Sequence, residues 1–505
     1  MALKPPSLQD NTADADRLVE ALKPELETSR IDIELSLLRQ LPRLLRRWNY
    51  HVRCVSVRDA GRWRLLDVIG LSESRPIAGL AVDLGTSRVA LRLIDLVDGK
   101  TLGEGAFDNP QLSVGADILA RIHHCEGKGG LERLNRLIID GINRHLAGLC
   151  RSVNLDPRDV FLIAAAGNTA MTHLLLGLNP RWIIREPYIP VVNRPGLLAA
   201  GDLGLEAHER ARILVFPNIG SYFGGDLIAG ILYAGMHAAR ETAILVDVGT
   251  NAEVVLGNAN WLIACAGAAG PALEGGVTRM GMMAGPGVID RVQIVSGDGR
   301  LRIHTIADQA PIGICGSGLI DLAAQLFLGG MVDIRGKLVP DACGHRLKQI
   351  DGIDNFVVVP ASESAGGTDL AISQADLDSL IRSKAAMYTI LETITSTVGV
   401  SLNGLDPFYV AGTFGSFIDP ASAITIGMLP DLPLDRYRSI GNSSLGGAAM
   451  ALTQADGLDR IDAIRQRITY LELNVNQDFM NRFSAAKFLP HTDLNRFASV
   501  KLAAG

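Results

Sequence analysis

Two short acidic turns carry side chains that are well suited to phosphate chemistry. The first is Asp83-Leu84-Gly85-Thr86, and the second is Asp247-Val248-Gly249-Thr250. An apolar run precedes each Asp and another follows each Thr, so both turns are predicted at the tips of β-hairpins. Gly lets backbone N–H groups approach a ligand, Thr adds a hydroxyl, and Asp can hold a cation or a water molecule. The repeated pattern predicts two facing halves of a clamp for a polyphosphate with Mg²⁺.

A third carboxylate, Asp226, follows Gly224 and Gly225 at the start of an apolar helix. The glycines permit close approach to phosphates, and the carboxylate could orient or deprotonate a nucleophile. Asp is also a frequent N-cap residue, and the two roles are compatible. Asp83, Asp226 and Asp247 are therefore the predicted catalytic carboxylates.

A Gly-rich turn late in the sequence suits a nucleoside. Residues 408–410 are predicted as a strand, and Gly412, Thr413 and Gly415 stand in the turn before the next helix. Other loops are unusually rich in small residues, at 265–272, 274–276, 282–287 and 313–318. Such loops permit close backbone approach to a ligand, although tight packing between loops is the alternative.

Composition and charge exclude several classes of protein. The chain has 505 residues, of which 48% are apolar, and a net charge of −6, so neither nucleic acid nor an anionic membrane surface is an indicated partner. We find no apolar stretch of about 18 residues and no signal-peptide core, which predicts a cytoplasmic protein. The six cysteines form no Cys-x-x-Cys pair, so neither a sequence-local zinc site nor an iron–sulfur ligand run is predicted. We expect them to be buried small apolar residues.

The domain organisation predicted from the chain order has four parts. Residues 1–30 are a leader with a helix from Asp14 to Lys23 that Pro24 ends, and residues 31–76 are a small α/β domain. Residues 77–240 form one lobe and residues 241–505 form the other, because the strand–turn–strand order of the first restarts in the second. The tail from Tyr470 to His491 alternates apolar and polar residues and is predicted to add edge structure.

The small domain is predicted to contain one interrupted helix and two strands. Its helical stripe consists of Leu35, Leu38, Leu41 and Leu45. Pro42 should kink or split that helix, and the strands follow near residues 51–57 and 62–69. The basic face is made by Arg39, Arg43, Arg46 and Arg47. It is interpreted as a solvated face, with a contact for an acidic partner as the alternative.

These motifs together resemble the actin-like superfamily of sugar kinases, Hsp70 chaperones and actin. More narrowly, the sequence resembles the reductive activators of corrinoid proteins, ATP-dependent enzymes that return an inactive Co(II) corrinoid to Co(I). The segments that carry this resemblance are residues 5–8, 115–118, 166–169, 224–226, 247–251, 268–271, 313–318 and 488–491. The resemblance implies a duplicated actin-like, RNase H-like α/β fold with two lobes and a central cleft, preceded by the small N-terminal domain.

The resemblance also implies the roles of the site residues. Asp83 and Asp247 would hold Mg²⁺, and Asp226 would orient the attacking water. The phosphates would be held by backbone N–H groups of Gly85, Thr86, Gly249, Thr250 and Asn251, and Ser87 would also belong to the nucleotide-binding residues. Gly412, Thr413 and Gly415 would border the adenosine. Closure around ATP would then reshape the surface that grips the corrinoid protein.

One departure from the family concerns electron supply. Family members usually carry a ferredoxin-like iron–sulfur domain before the linker, whereas this sequence starts at the linker and has no cluster ligands. The resemblance therefore predicts no iron–sulfur cluster in this chain, with electrons from a separate ferredoxin-like donor or from a domain that has been removed. It also predicts a homodimer. A small-molecule kinase of the same superfamily and a non-catalytic nucleotide-binding scaffold are the alternative functions, because one fold hosts all three.

Overall fold

The computed structural model describes most of the chain. The residues that it leaves undescribed are 60, 74, 250–251, 268–277, 296–300, 351, 413–417, 455, 474–476 and 502–505. Of the predicted site residues, Thr250, Asn251, Thr413 and Gly415 lie outside the described residues. No helix in the described part of the chain is both long and apolar enough to cross a membrane.

Helices are numbered in chain order. They are α1 Asp14–Glu25, α2 Leu35–Leu38, α3 Leu41–Arg47, α4 Ile118–His124, α5 Gly130–Ser152, α6 Thr169–Leu176, α7 Gly225–Ala234, α8 Gly316–Leu328, α9 Pro340–Cys343, α10 Gln374–Thr397, α11 Pro420–Thr425, α12 Ser443–Thr453, α13 Gly457–Arg467 and α14 Gln477–Ala486. Short polar side chains start several of them, as at α4, where Asp117 accepts a hydrogen bond from the N–H of Ala120 at 2.8 Å.

Strands are numbered in the same way. They are β1 Ile31–Ile33, β2 Val52–Asp59, β3 Arg62–Gly70, β4 Ala78–Leu84, β5 Arg88–Asp95, β6 Thr101–Asp108, β7 Val160–Gly167, β8 Gly196–Ala199, β9 Arg212–Val215, β10 Ala243–Val248, β11 Ala252–Gly257, β12 Leu262–Gly267, β13 Val288–Ile294, β14 Leu301–Thr305, β15 Gly313–Ile314, β16 Leu347–Ile350, β17 Ile353–Val359, β18 Leu370–Ser373, β19 Phe408–Ala411, β20 Tyr437–Gly441 and β21 Ile468–Tyr470.

The two large sheets repeat one topology. In the first, the strand order β6-β5-β4-β7-β9 has antiparallel pairs up to β4 and parallel pairs beyond it. In the second, β12-β11-β10-β19-β20 has the same sequence of antiparallel and parallel pairs. The predicted duplication is therefore confirmed, and β4 and β10 are equivalent central strands that end in the two acidic turns.

The chain divides into two compact units. The first comprises residues 1–233 and 444–466, and the second comprises residues 234–443 and 467–505. Strand β4 is buried along nearly its whole length, as expected for the centre of a sheet covered on both faces. Helix α5 presents Leu134, Ile138, Ile142 and Leu146 to the core of the first unit. The boundaries predicted at 30, 76 and 240 stay predictions.

The N-terminal residues of the first unit build a small sheet of their own. Its strand order is β1-β3-β2, and helices α1 and α3 cover it with Leu18, Leu41 and Leu45. Arg210, which lies outside this sheet, donates from Nη2 to Oδ1 of Asp67 at 2.8 Å. This buried ion pair ties the small sheet to the rest of the unit.

The leader and its neighbouring helices differ from expectation in two ways. Helix α1 runs through Pro24 to Glu25, because a proline in the last turn removes only one backbone hydrogen bond. Pro42 does split the leucine pattern into two short helices, α2 and α3. It lies in the first turn of α3 rather than in the break between the two. Leu35 and Leu38 are consequently exposed, and Leu37 joins the buried residues instead.

In the second unit, α10 packs against β11 and β12 of the large sheet, and α8 packs against β13 of a separate three-stranded sheet. Helix α10 contributes Tyr388, Ile390 and Ile394 to that core. Strand β21 pairs with β12 at the edge of the sheet, so among the described residues of the predicted tail, 470–491, only Tyr470 is confirmed as edge structure. The later tail forms α14, which packs on α10.

The cysteines are free thiols, and all except the half-buried Cys54 are buried. Burial raises the pKa of Cys125 and of Cys150 to about 11, so these thiols stay protonated at neutral pH. The expectation of buried, small apolar cysteines is confirmed for the five buried residues.

Helix α12 packs closely on α7 in the first unit because it begins with small residues. A Cβ placed on Gly447 would lie 2.0 Å from the carbonyl oxygen of Ala229. Only glycine permits this approach of the two backbones. Gly148, on α5, is the contrasting case, since an added Cβ there meets nothing within 4 Å.

We predict opposite effects of alanine at these two glycines. Gly447→Ala should destabilise the protein by roughly 1–3 kcal/mol, because the neighbouring backbone must move. Gly148→Ala should stabilise it by roughly 0.5–1 kcal/mol, because alanine has the higher helix propensity. Thermal and denaturant unfolding measure both changes. A Gly447→Ala midpoint equal to that of Gly148→Ala would contradict the packing described.

Candidate functional site

The acidic turn of the first unit is built so that position 85 must be glycine. Asp83 is near the end of β4 and partly exposed, and residues 85–87 connect β4 to β5. A Cβ on Gly85 would lie 2.0 Å from the carbonyl oxygen of Arg88. Any side chain there would collide with the backbone of the opposite strand. The tight turn predicted between the two strands is therefore present.

The three carbonyl groups of this turn are held by donors from other segments. The carbonyl of Gly85 accepts from Nδ2 of Asn109 at 2.9 Å, and that of Ser87 accepts from the N–H of Asn109 at 2.8 Å. The carbonyl of Thr86 accepts from Nη2 of Arg121 at 2.7 Å. Asn109 and Arg121 are buried, so all three carbonyls point towards the protein interior.

This arrangement fixes the direction of the N–H groups as well. In a planar trans peptide the C=O of one residue and the N–H of the next point in opposite directions. The N–H groups of Thr86 and Ser87 therefore point away from the buried donors. Successive N–H groups that face the same side of a turn form a concavity suited to an anion. The predicted phosphate-binding role of Gly85, Thr86 and Ser87 fits this geometry.

Two further segments of the first unit meet the turn. Asn168, which caps α6 directly after β7, donates from Nδ2 to Oγ1 of Thr86 at 3.1 Å. A Cβ on Gly224 would lie 2.5 Å from the Cα of Asn168 and 2.5 Å from Oδ1 of Asp226. The glycine thus lets the loop of Asp226 lie against the backbone that follows β7. Asp226 is brought close to this region although it is more than 130 residues from Asp83.

Asp226 lies inside the first turn of α7, because that helix begins at Gly225. Its Oδ1 accepts a hydrogen bond from the N–H of Leu227 at 2.9 Å. The carboxylate therefore interacts with the start of the helix from the second helical position, two residues after the N-cap position, which Gly224 occupies. A negative charge at this end also interacts favourably with the helix dipole.

The acidic turn of the second unit also follows a central strand, and a neighbouring glycine lies against its carboxylate. Asp247 lies next to Ala411 in the parallel pair of β10 and β19, and Gly412 follows. Gly412 has φ = +80°, and a Cβ there would lie 2.8 Å from Oδ1 of Asp247. Position 412 needs glycine for both its conformation and its distance from the carboxylate. Gly249 is partly exposed at the turn itself.

The structure thus groups the predicted residues within each unit. Asp83, Gly85, Thr86, Ser87 and Asp226 belong to the first group, and Asp247, Gly249 and Gly412 belong to the second. The clamp between the two groups stays a prediction. The same holds for the adenosine contacts at residues 412–415.

Sequence reasoning missed two buried donors, Asn109 and Arg121. Arg121 had a detectable signal, because it interrupts the apolar stripe of Ile118, Ile122 and Cys125 on α4. A charged residue on the buried face of a helix needs internal partners. A second missed signal is the Ala-Gly pair at the end of each equivalent strand, at residues 166–167 and 411–412.

Comparison with known proteins gives matches along the whole sequence. Three family models match in chain order: the RACo linker region at residues 1–73, the RACo middle region at 78–239, and the C-terminal domain of RACo, described as the ASKHA domain, at 241–501. A solved structure of a reductive activator for a corrinoid, iron–sulfur protein is 37% identical with a TM-score of 0.88, covering 99% of this chain and 80% of that one. The chain belongs to the RACo family.

Two curated proteins are similar to this RACo-family chain. The corrinoid activation enzyme RamQ of Eubacterium limosum is 31% identical, over 83% of this chain and 72% of that protein. The [Co(II) methylated amine-specific corrinoid protein] reductase of Methanosarcina barkeri is 23% identical, over 80% of this chain and 75% of that protein. The predicted family is therefore confirmed, and the ASKHA domain of RACo confirms the actin-like fold class.

We predict that Asn168 has two separable roles in this RACo-family chain. Its Oδ1 caps α6 by accepting from the N–H of Met171 at 2.9 Å, while its Nδ2 reaches Thr86. Asn168→Ala should lower the free energy of unfolding by roughly 1 kcal/mol, since the cap is lost. Asn168→Asp keeps a capping oxygen and should stay near the wild type. Equal destabilisation in denaturant unfolding would contradict this division.

Proposed function

We propose that this protein activates a corrinoid protein by ATP-dependent reduction of Co(II) to Co(I). The observation that carries the proposal is the acidic turn that recurs at the end of the equivalent strands β4 and β10. Membership of the RACo family supports it, because the similar proteins are named for activation or reduction of corrinoid proteins. The cobalt reduction takes one electron, which a low-potential ferredoxin-like donor would supply.

Different residues would bind ATP and promote its hydrolysis. Outward N–H groups of Thr86 and Ser87 would hold phosphate oxygens, and the turn at Gly249 would do the same in the second unit. Asp226 would accept a proton from the attacking water as the water oxygen bonds to the γ-phosphorus and the bond from that phosphorus to the β,γ-bridging oxygen breaks. Inorganic phosphate and ADP would be the products. The Gly412 segment would lie against the nucleoside.

The carboxylates are chemically suited to magnesium. Asp83 and Asp247 offer hard oxygen donors, and Mg²⁺ is commonly bound by one or two carboxylates together with phosphate oxygens and water. The absence of a side chain at Gly412 leaves room beside Oδ1 of Asp247. Bound there, the ion would neutralise phosphate charge. In the described residues no group of three or more His, Cys, Asp or Glu could hold a metal, so the phosphates and water would complete the coordination.

ATP would be needed because reduction of a Co(II) corrinoid is uphill for ordinary cellular donors. A nucleotide can drive such a step only if two states of the activator bind it with different affinity. The state that the nucleotide favours would also bind the corrinoid protein differently. A cytoplasmic homodimer is the assembly that we propose for this cycle.

We predict that the purified protein forms Co(I) only when ATP, Mg²⁺, a low-potential reductant and a Co(II) corrinoid protein are all present. The Co(I) absorption band measures the product, and phosphate release measures ATP hydrolysis. Omission of ATP should abolish the band. Equal Co(I) formation with and without ATP would contradict the proposal, and phosphate transfer to a small molecule would favour a kinase instead.

We predict that removing the charge of either turn stops ATP hydrolysis. Asp83→Asn and Asp247→Asn should each lower kcat/KM for ATP by roughly 100-fold or more, since a charge-stabilising group is lost. Asp98→Asn, in the turn between β5 and β6, is the matched control and should retain wild-type activity. Wild-type hydrolysis by Asp247→Asn would rule out the site as described.

A further inference from the structure

Arg121 is buried in an unusual electrostatic setting. Three arginines in the described part of the chain are at least nine-tenths buried, namely Arg17, Arg121 and Arg210. Arg17 bonds the carboxylate of Asp10 at 2.7 Å, and Arg210 bonds that of Asp67 at 2.8 Å. Arg121 is fully buried, yet each acceptor that it contacts among the described residues is neutral.

The contacts of Arg121 place its positive charge on the interior side of the turn formed by residues 85–87. Its Nε donates to the carbonyl of Gly115 at 3.0 Å, and its Nη1 donates to Oε1 of Gln111 at 3.1 Å. Its Nη2 donates to the carbonyl of Thr86 at 2.7 Å. A Cβ on Gly115 would lie 2.9 Å from the backbone N of Arg121, so glycine allows this loop to close over the helix.

The guanidinium remains charged in this environment. Burial lowers the pKa of Arg121 to about 10, so the group is still protonated at neutral pH. The exposed Asp117 adds only a long-range attraction. A buried cation without a carboxylate partner is unfavourable unless another anion approaches it.

We infer that Arg121 is a positioning residue for the nucleotide and that the polyphosphate supplies its missing counter-charge. This inference rests on the proposed function. The guanidinium holds the carbonyl of Thr86 inward, which turns the N–H of Ser87 outward. Its charge then acts through the turn on a phosphate at the opposite side. Arg121 thus has two effects. Its hydrogen bond sets the orientation of the turn, and its positive charge favours a negatively charged ligand at that turn.

Substitution of Arg121 should weaken ATP binding without slowing the chemical step. In Arg121→Met we expect KM for ATP to rise roughly 10- to 100-fold, the range for a lost charged hydrogen bond, with kcat nearly unchanged. Arg121→Lys keeps the charge but not the planar fork, so its KM should lie between those of the wild type and Arg121→Met. Steady-state ATP hydrolysis in the presence of corrinoid protein measures both constants.

The control variant is Arg210→Met, in which the lost arginine has a carboxylate partner and lies at the small sheet. It should lower the unfolding midpoint and leave KM for ATP at the wild-type value. A wild-type KM in Arg121→Met would overturn the inference. If that variant does not fold, a wild-type KM in Arg121→Lys would overturn it equally.

The same experiment tests the proposed function by a separate measurement. Co(I) formation by the wild type reports on corrinoid activation, whereas KM for ATP in the variants reports on Arg121. Loss of the Co(I) signal in the wild type would therefore contradict the function, and unchanged KM values would contradict the role of Arg121.

Discussion

The constraint on which this structure depends is the inward fixation of the carbonyl groups at residues 85–87. Backbone hydrogen-bonding groups must be satisfied, and here Asn109 and Arg121 satisfy all three carbonyls from within the protein. Because peptides are planar, the same contacts direct the N–H groups outward. The turn is thereby prepared for an anion before any ligand arrives, which reduces the cost of ordering it on binding.

The second unit has different contacts beside its acidic turn. Its central strand ends in the same Asp-x-Gly pattern, and the neighbouring parallel strand again ends in Ala-Gly. At Gly412 the missing side chain makes room beside the carboxylate of Asp247. The corresponding strand in the first unit ends at Gly167, and the next residue, Asn168, donates a hydrogen bond to the side chain of Thr86. The two sheets therefore share one topology, but different residues contact their acidic turns.

The sequence predicts the parts of the site that depend on local pattern. Strand ends near Asp83 and Asp247 and the split at Pro42 all follow from residues within a few positions of each other. The roles of Asn109 and Arg121 do not, because Arg121 is 35 positions from the carbonyl that it binds. Neighbouring structure likewise overrides the leucine pattern near residue 35, where two short helices replace one continuous stripe.

The family places this chain among the reductive activators of corrinoid proteins, and the geometry adds a physical reason for the nucleotide response that we propose. A turn with outward N–H groups and a buried cation behind it favours a ligand with high negative charge. Phosphate release would change that charge at the turn. Such a change is the kind of local electrostatic event that can bias a protein between two states.

The most direct test of this account is a crystal structure of the protein with Mg²⁺ and a non-hydrolysable ATP analogue. We predict phosphate oxygens within hydrogen-bonding distance of the N–H groups of Thr86 and Ser87, with the carbonyl of Thr86 still bonded to Arg121. Phosphates bound away from this turn, or a Thr86 carbonyl turned away from Arg121, would contradict the account.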